Sequence, residues 1–306
     1  TLLDTHMAGG TPRLAQDTVL LPGGVNVQRW LADRAERRPV VLALHGWTDA
    51  GAVFGPMARA LADVADVIAP DMPGHGRTAW AGPAPYSYDV LLPSVLQVLD
   101  ALPQLVGPGR PLVIEGHSMG AIAAARAAAA RPDAVSHLVL EEPPRRAILH
   151  RRDVRKDMTW LRRLQRVGIP ESIELMSRIV EWSPEELEIW ASTKMDADPD
   201  ALGTLREWGE PLVRTLESVT SPVTIICGRG RDSSVSGRRA RQYIGACRGT
   251  VELVRLDAGH NPRRDNPAAF EGVMRQVLAG AAGTEGIADV TTVTAAVSMP
   301  ENFTVA

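Results

Sequence analysis

Apolar residues along this chain gather into short β-branched runs separated by longer amphipathic stretches. The runs are Val40 to Leu44, Val64 to Ala69, Leu112 to Ile114, Leu138 to Leu140, Val223 to Ile226 and Val251 to Leu256. Runs of this length and character suit strands buried in a parallel sheet. The intervening stretches predict helices at Phe54 to Asp63, Tyr88 to Leu102, Ala121 to Arg131, Gly237 to Ala246 and Asn266 to Ala279. Strand and helix in alternation predict a doubly wound α/β fold. Upstream, Thr18 to Leu21 and Val25 to Ala32 flank Pro22-Gly23-Gly24, which predicts an antiparallel hairpin on one edge of the sheet and brings the strands to eight.

From about Pro143 to Ser218 the rhythm breaks. This stretch has helical patterning, lacks strand runs and holds Trp160, Trp182, Trp190 and Trp208, four of the seven tryptophans. Large amphipathic rings suit a lid with an apolar inner face and a wet outer one, although simple helix packing would use them too. The expected division is a core of residues 11–142 and 219–282, a helical cap at 143–218 and a tail at 283–306, extended or partly disordered. Thr1 to Gly10, including Thr5-His6-Met7, can include vector-derived residues before or around a native start and are set aside from the fold reading.

The run ending at Ile114 leads into Gly116-His117-Ser118-Met119-Gly120, and an alanine-rich helical stretch follows. A serine at such a strand-to-helix turn needs small residues two before and two after it. Its hydroxyl projects clear of the sheet, beside a helix N-terminus that favours negative charge on a bound carbonyl oxygen. Ser118 is therefore the candidate nucleophile; the plain alternative is a tight turn carrying a solvated serine. A nucleophilic serine needs a base, and the base needs an acid to orient it. His260, in Asp257-Ala258-Gly259-His260-Asn261-Pro262 after the last strand run, is the candidate base. Asp232, on the loop after Val223 to Gly228, is the candidate acid.

With these motifs in the order nucleophile, acid, base, the chain resembles the α/β-hydrolase superfamily over about residues 18–280, the cap apart. Val40-Val41-Leu42-Ala43-Leu44-His45-Gly46-Trp47 looks like that family's oxyanion loop, and Asp71-Met72-Pro73-Gly74-His75-Gly76-Arg77-Thr78 is similar to its loop after the next strand. The resemblance implies an eight-stranded, mostly parallel sheet with helices on both faces and a helical cap. It implies that Trp47 and Met119 donate the oxyanion-hole N–H groups, and that a serine esterase-like reaction proceeds with no metal and no organic cofactor. Gly228 and Asp232 stand four apart where the family commonly has three, so Glu142, at the end of the preceding strand run, is the alternative acid. His45, His75 and His117 read as braces of the pocket, and Asp257 as a turn residue.

Composition narrows the reading. The 306 residues are 45% hydrophobic and 23% charged with a net charge of −3, which favours a globular protein acting on a small molecule over a binder of nucleic acid or membrane. Cys227 and Cys247 are too few for a disulfide framework and read as small buried apolar residues. No run reaches the roughly 20 apolar residues of a membrane span and no secretory pattern opens the chain, so a cytoplasmic location is expected. Oligomeric state is left open. Arg145, Arg146, Arg151, Arg152, Arg155, Lys156, Arg162, Arg163 and Arg166 crowd the start of the cap. They either greet an acidic substrate or form a solvated helical face balanced by the acidic stretch Glu181 to Glu188.

The function expected is hydrolysis of a small ester, lactone or thioester through an acyl-enzyme on Ser118. Lyase-like elimination of an acyloxy group such as acetate, a perhydrolase activity on the same triad, and a non-catalytic ligand receptor are the alternatives.

Overall fold

The computed structural model describes residues 14–33, 38–80, 86–87, 90–144, 151–205 and 210–283. Two expected segments, Thr1 to Gly10 and nearly all of the tail, lie outside the described residues, as do Arg145, Arg146 and Trp208.

The strands are β1 (Leu14–Leu20), β2 (Asn26–Ala32), β3 (Val40–Leu44), β4 (Asp66–Pro70), β5 (Leu112–His117), β6 (His137–Glu141), β7 (Val223–Gly228) and β8 (Val251–Leu256). They form one eight-stranded sheet in the order β1-β2-β4-β3-β5-β6-β7-β8. The hairpin β1–β2 and the β2–β4 pair are antiparallel, and every other pair is parallel. The side-chain period of two explains why the central runs read as continuously apolar: Val40, Leu42 and Leu44 enter one core layer, and Val41 and Ala43 enter the other. β5 and β6 divide in the same way, with Val113 and Val139 on the second layer.

The core helices are α1 (Gly55–Ala60), α2 (Leu91–Val106) and α3 (Met119–Ala130). Between β6 and β7 come α4 (Arg151–Val167), α5 (Ile169–Ser177), α6 (Pro184–Met195), α7 (Pro199–Leu202) and α8 (Leu212–Leu216), followed after β7 by α9 (Gly237–Ala246) and after β8 by α10 (Pro262–Asp265) and α11 (Pro267–Ala281). The first expected helix is shorter than its pattern, because Gly51–Phe54 winds as a 3-10 turn and the chain leaves α1 after Ala60. Conversely, α2 runs past Pro103, which sits in the last turn and costs one main-chain bond there before Gly107 turns the chain away. Part of the insertion has a third apolar cluster of its own, built on Leu164, Trp182, Leu187, Trp190 and Ala191. Among the described residues no helix is long and apolar enough to cross a membrane.

Candidate active site

Ser118 sits between β5 and α3 at φ 50°, ψ −108°, a backbone region that a non-glycine residue rarely occupies. Packing imposes it. A Cβ on Gly116 would lie 2.4 Å from the Gly120 carbonyl oxygen, and one on Gly120 would lie 1.9 Å from that of Leu44, so strand and helix close on each other only with glycine at both places. The Ser118 N–H donates to the Glu141 carbonyl (2.8 Å), tying the turn to β6. Met119 is fully buried at the start of α3.

The loop after β8 brings His260 to Ser118, with Nε2 3.1 Å from Oγ. On its other side, His260 Nδ1 lies 3.2 Å from Glu142 Oε2 and 3.1 Å from Ser234 Oγ. Glu142 follows β6 directly, at φ 47°, and its side chain is fully buried. Its Oε1 accepts from the Gly228 N–H (2.7 Å) and the Ser233 hydroxyl (2.7 Å), and its Oε2 from the Ser234 N–H (2.5 Å). Burial opposes ionisation of this carboxyl, but the bonds from His260, Ser233, Gly228 and Ser234 outweigh it and hold the pKa below the ordinary glutamate value. An ionised Glu142 can only accept, so Nδ1 carries the proton and Nε2 is left to accept from the Ser118 hydroxyl.

This corrects the first-choice acid. Asp232 is exposed and does not meet the imidazole; its Oδ2 accepts from the backbone N–H of His260 at 3.1 Å. The physical reason is the longer loop after β7. The serines at 233 and 234 turn inward onto Glu142 while Asp232 turns outward beneath the His260 loop. Ser233 and Ser234 were not singled out from the sequence; the four-residue spacing after Gly228 was the only signal there.

His45, His75 and His117 are buried, neutral braces. Burial pushes His45 down to about 4, and His75 and His117 down to about 3. His45 Nε2 accepts from the Met72 N–H (2.9 Å), His75 Nε2 accepts from the Thr48 N–H (3.2 Å), and His117 Nε2 meets the His260 carbonyl (2.9 Å). Asp71 explains its own loop, since it accepts from the Gly51 and Arg77 N–H groups and from the Asn26 amide and so fastens the ends of β3 and β4 together.

Above Ser118 lies a cavity of about 420 Å³ between sheet and insertion. Trp47, Trp160, Trp182, Trp190, Leu164 and Met176 give it a largely apolar wall. Helix α4 contributes Asp157, Trp160, Leu161 and Leu164 to this cavity, whereas Arg151, Arg152, Arg155, Lys156, Arg162, Arg163 and Arg166 are exposed. The described part of the basic stretch thus faces solvent rather than Ser118. Within the acidic stretch, Glu185 pairs with Arg59 at the surface and Glu186 with the buried Arg263 and Arg264, three arginines that lie outside α4.

Behind the nucleophile strand, Glu115 of β5 is wholly buried beside Glu141 of β6. Burial first, then the neighbouring Glu141 charge, pushes its pKa well above the ordinary value. An acid whose folded pKa is raised stays protonated in the fold while the unfolded chain ionises, so it subtracts stability as pH rises from the unfolded toward the folded pKa. Glu115→Gln is therefore expected to melt higher than the parent at pH 8 and close to it at pH 4. The gap should grow by up to about 1.4 kcal/mol per pH unit, read from thermal melts of both proteins across that range.

The alpha/beta hydrolase family model matches residues 40–273. Lipase LipV of Mycobacterium tuberculosis is 41% identical over 103 residues, a match spanning 34% of this chain and 36% of that protein, about a third of its length. Esterase Rv0045c of the same organism is 24% identical over 90% of this chain and 93% of its own. Among solved structures, the thioesterase domain from the curacin biosynthetic pathway superposes with a TM-score of 0.66 at 22% identity, covering 86% of this chain and 99% of that one. The elbow at Ser118, the sheet order and a family match running from β3 into α11 agree, and the chain belongs to the alpha/beta hydrolase family.

Proposed function

We propose that this protein hydrolyses a small ester, lactone or thioester through an acyl-enzyme on Ser118, with His260 as general base and Glu142 as the acid that orients it. The observation that carries the reading is the unbroken chain of contacts from Ser118 Oγ through both His260 nitrogens to the Glu142 carboxylate. In the first half-reaction Oγ attacks the acyl carbon while Nε2 takes the hydroxyl proton. The resulting imidazolium is stabilised by Glu142, and the tetrahedral oxyanion is held by the backbone N–H groups of Trp47 and Met119. Collapse breaks the bond to the alcohol or thiol, which leaves with the proton from Nε2. Water then repeats the sequence on the acyl-enzyme and releases the carboxylic acid.

The helices between β6 and β7 serve in this reading as a lid. Trp160, Trp182 and Trp190 of this insertion line the cavity over Ser118, and an apolar wall there favours an acyl or alcohol group that is itself apolar. The similarity to Lipase LipV and Esterase Rv0045c supports the same chemistry.

The test is intact-mass spectrometry after exposure to a fluorophosphonate. One adduct mapping to Ser118, absent from His260→Ala, is the expected result. A folded protein that takes up no probe, yet turns over an activated ester, would place the chemistry elsewhere.

A further inference from the structure

Thr48 holds φ 62° immediately after Trp47. A β-branched residue in the left-handed region costs on the order of 1–3 kcal/mol and persists only where its surroundings fix it. Both of its main-chain polar groups are held. The N–H donates to His75 Nε2 (3.2 Å), and the carbonyl accepts from Lys194 Nζ (2.9 Å). His75 belongs to the core, whereas Lys194 belongs to α6 in the insertion, 146 residues along the chain. Its ammonium is almost completely buried, pairs with Asp49 and lies 5.3 Å from the centre of the Trp190 ring. Asp49 also binds Arg264 (3.0 Å), four residues beyond His260, and Arg264 returns to Glu186 of α6 at 3.4 Å. One buried ionic cluster therefore joins the turn after Trp47, the segment after His260 and the lid helix.

We infer that Lys194 is a positioning residue through which the seated lid helix holds the Thr48 turn, and with it the Trp47 N–H, in the geometry that receives the oxyanion. The inference rests on the hydrolase reading above. Without the ammonium, the Thr48 carbonyl loses its anchor and the turn relaxes toward an ordinary backbone conformation. The binding of an uncharged ester in its ground state does not need that turn, but the tetrahedral intermediate does. An N–H displaced by about 1 Å is enough to slow the reaction on the order of 100-fold.

The experiment compares wild type, Lys194→Met, Thr48→Gly and the double variant on a p-nitrophenyl ester. It also measures inhibition by a trifluoromethyl ketone, which forms an oxyanion on Ser118, and by the matching methyl ketone. Lys194→Met should lower kcat roughly 10- to 100-fold with KM within about twofold, and should lose a comparable factor against the trifluoromethyl ketone alone. Glycine reaches φ 62° without strain. Thr48→Gly should therefore restore most of kcat in the Lys194→Met background, an effect that a merely lid-anchoring lysine would not produce. If Lys194→Met does not fold, Lys194→Gln takes its place with the same expected split. A loss lodged in KM, equal losses against both ketones, or no rescue by glycine would overturn the inference. A wild type with no Ser118-dependent turnover would remove the hydrolase reading and this inference with it, and is told apart by Ser118→Ala measured in parallel.

Discussion

Ser118→Ala is expected to lower kcat for any ester the wild type accepts by about 10⁴- to 10⁶-fold, while the melting temperature stays within a few degrees. The rate loss follows from removing Ser118 Oγ, the atom placed to attack 3.1 Å from His260 Nε2. The fold survives because what sets the elbow is the clearance at Gly116 and Gly120 and the Ser118 N–H bond to Glu141, and none of these involves the hydroxyl. Steady-state kinetics and a thermal melt on the same preparation check both halves. A variant retaining the wild-type rate would remove Ser118 from the mechanism.

The second large effect separates two carboxylates. Glu142→Gln should cost on the order of 10³- to 10⁴-fold in kcat, because an amide neither stabilises the imidazolium nor accepts at every oxygen position that Gly228, Ser233, Ser234 and His260 now address. Asp232→Asn should cost less than about tenfold, since an amide oxygen still accepts from the His260 N–H. The reverse ranking would return the acid's role to Asp232. The pH dependence has a definite sign. The Glu142 carboxyl is held below the ordinary glutamate value, so its contribution to stability is present above that value and is lost as pH falls through the folded pKa. The stability difference between wild type and Glu142→Gln should accordingly narrow in acid.

How much of this was legible in the chain follows from how local each cause is. The strands were legible because β3, β5 and β6 are buried on both faces, so that Val40 to Leu44, Leu112 to Ile114 and Leu138 to Leu140 read as unbroken apolar runs. The elbow at Ser118 was legible because its steric demands fall within five consecutive residues. His260 was legible from its place on the loop after β8. The acid was harder. Whether a carboxylate after β6 or one after β7 meets the imidazole depends on which way the residues from Gly228 to Ser234 turn, and one extra residue in that loop sends Asp232 outward. The cluster of Asp49, Lys194, Arg264 and Glu186 was not legible at all. Each member reads as an ordinary surface charge, and only the docking of α6 on the core buries them together.

Paired strands carry the two ends of the proposed relay. β5 ends at His117, one residue before Ser118, β6 ends at Glu141, one residue before Glu142, and His117 lies opposite Glu141 in the ladder between them. Their separation is thus a lattice constant of the sheet, as hard to change as the spacing between any two neighbouring strands. The histidine alone arrives on a loop. Residues 257–261, between β8 and α10, are therefore the short segment on which a designer can tune alignment while leaving the spacing of the strands untouched.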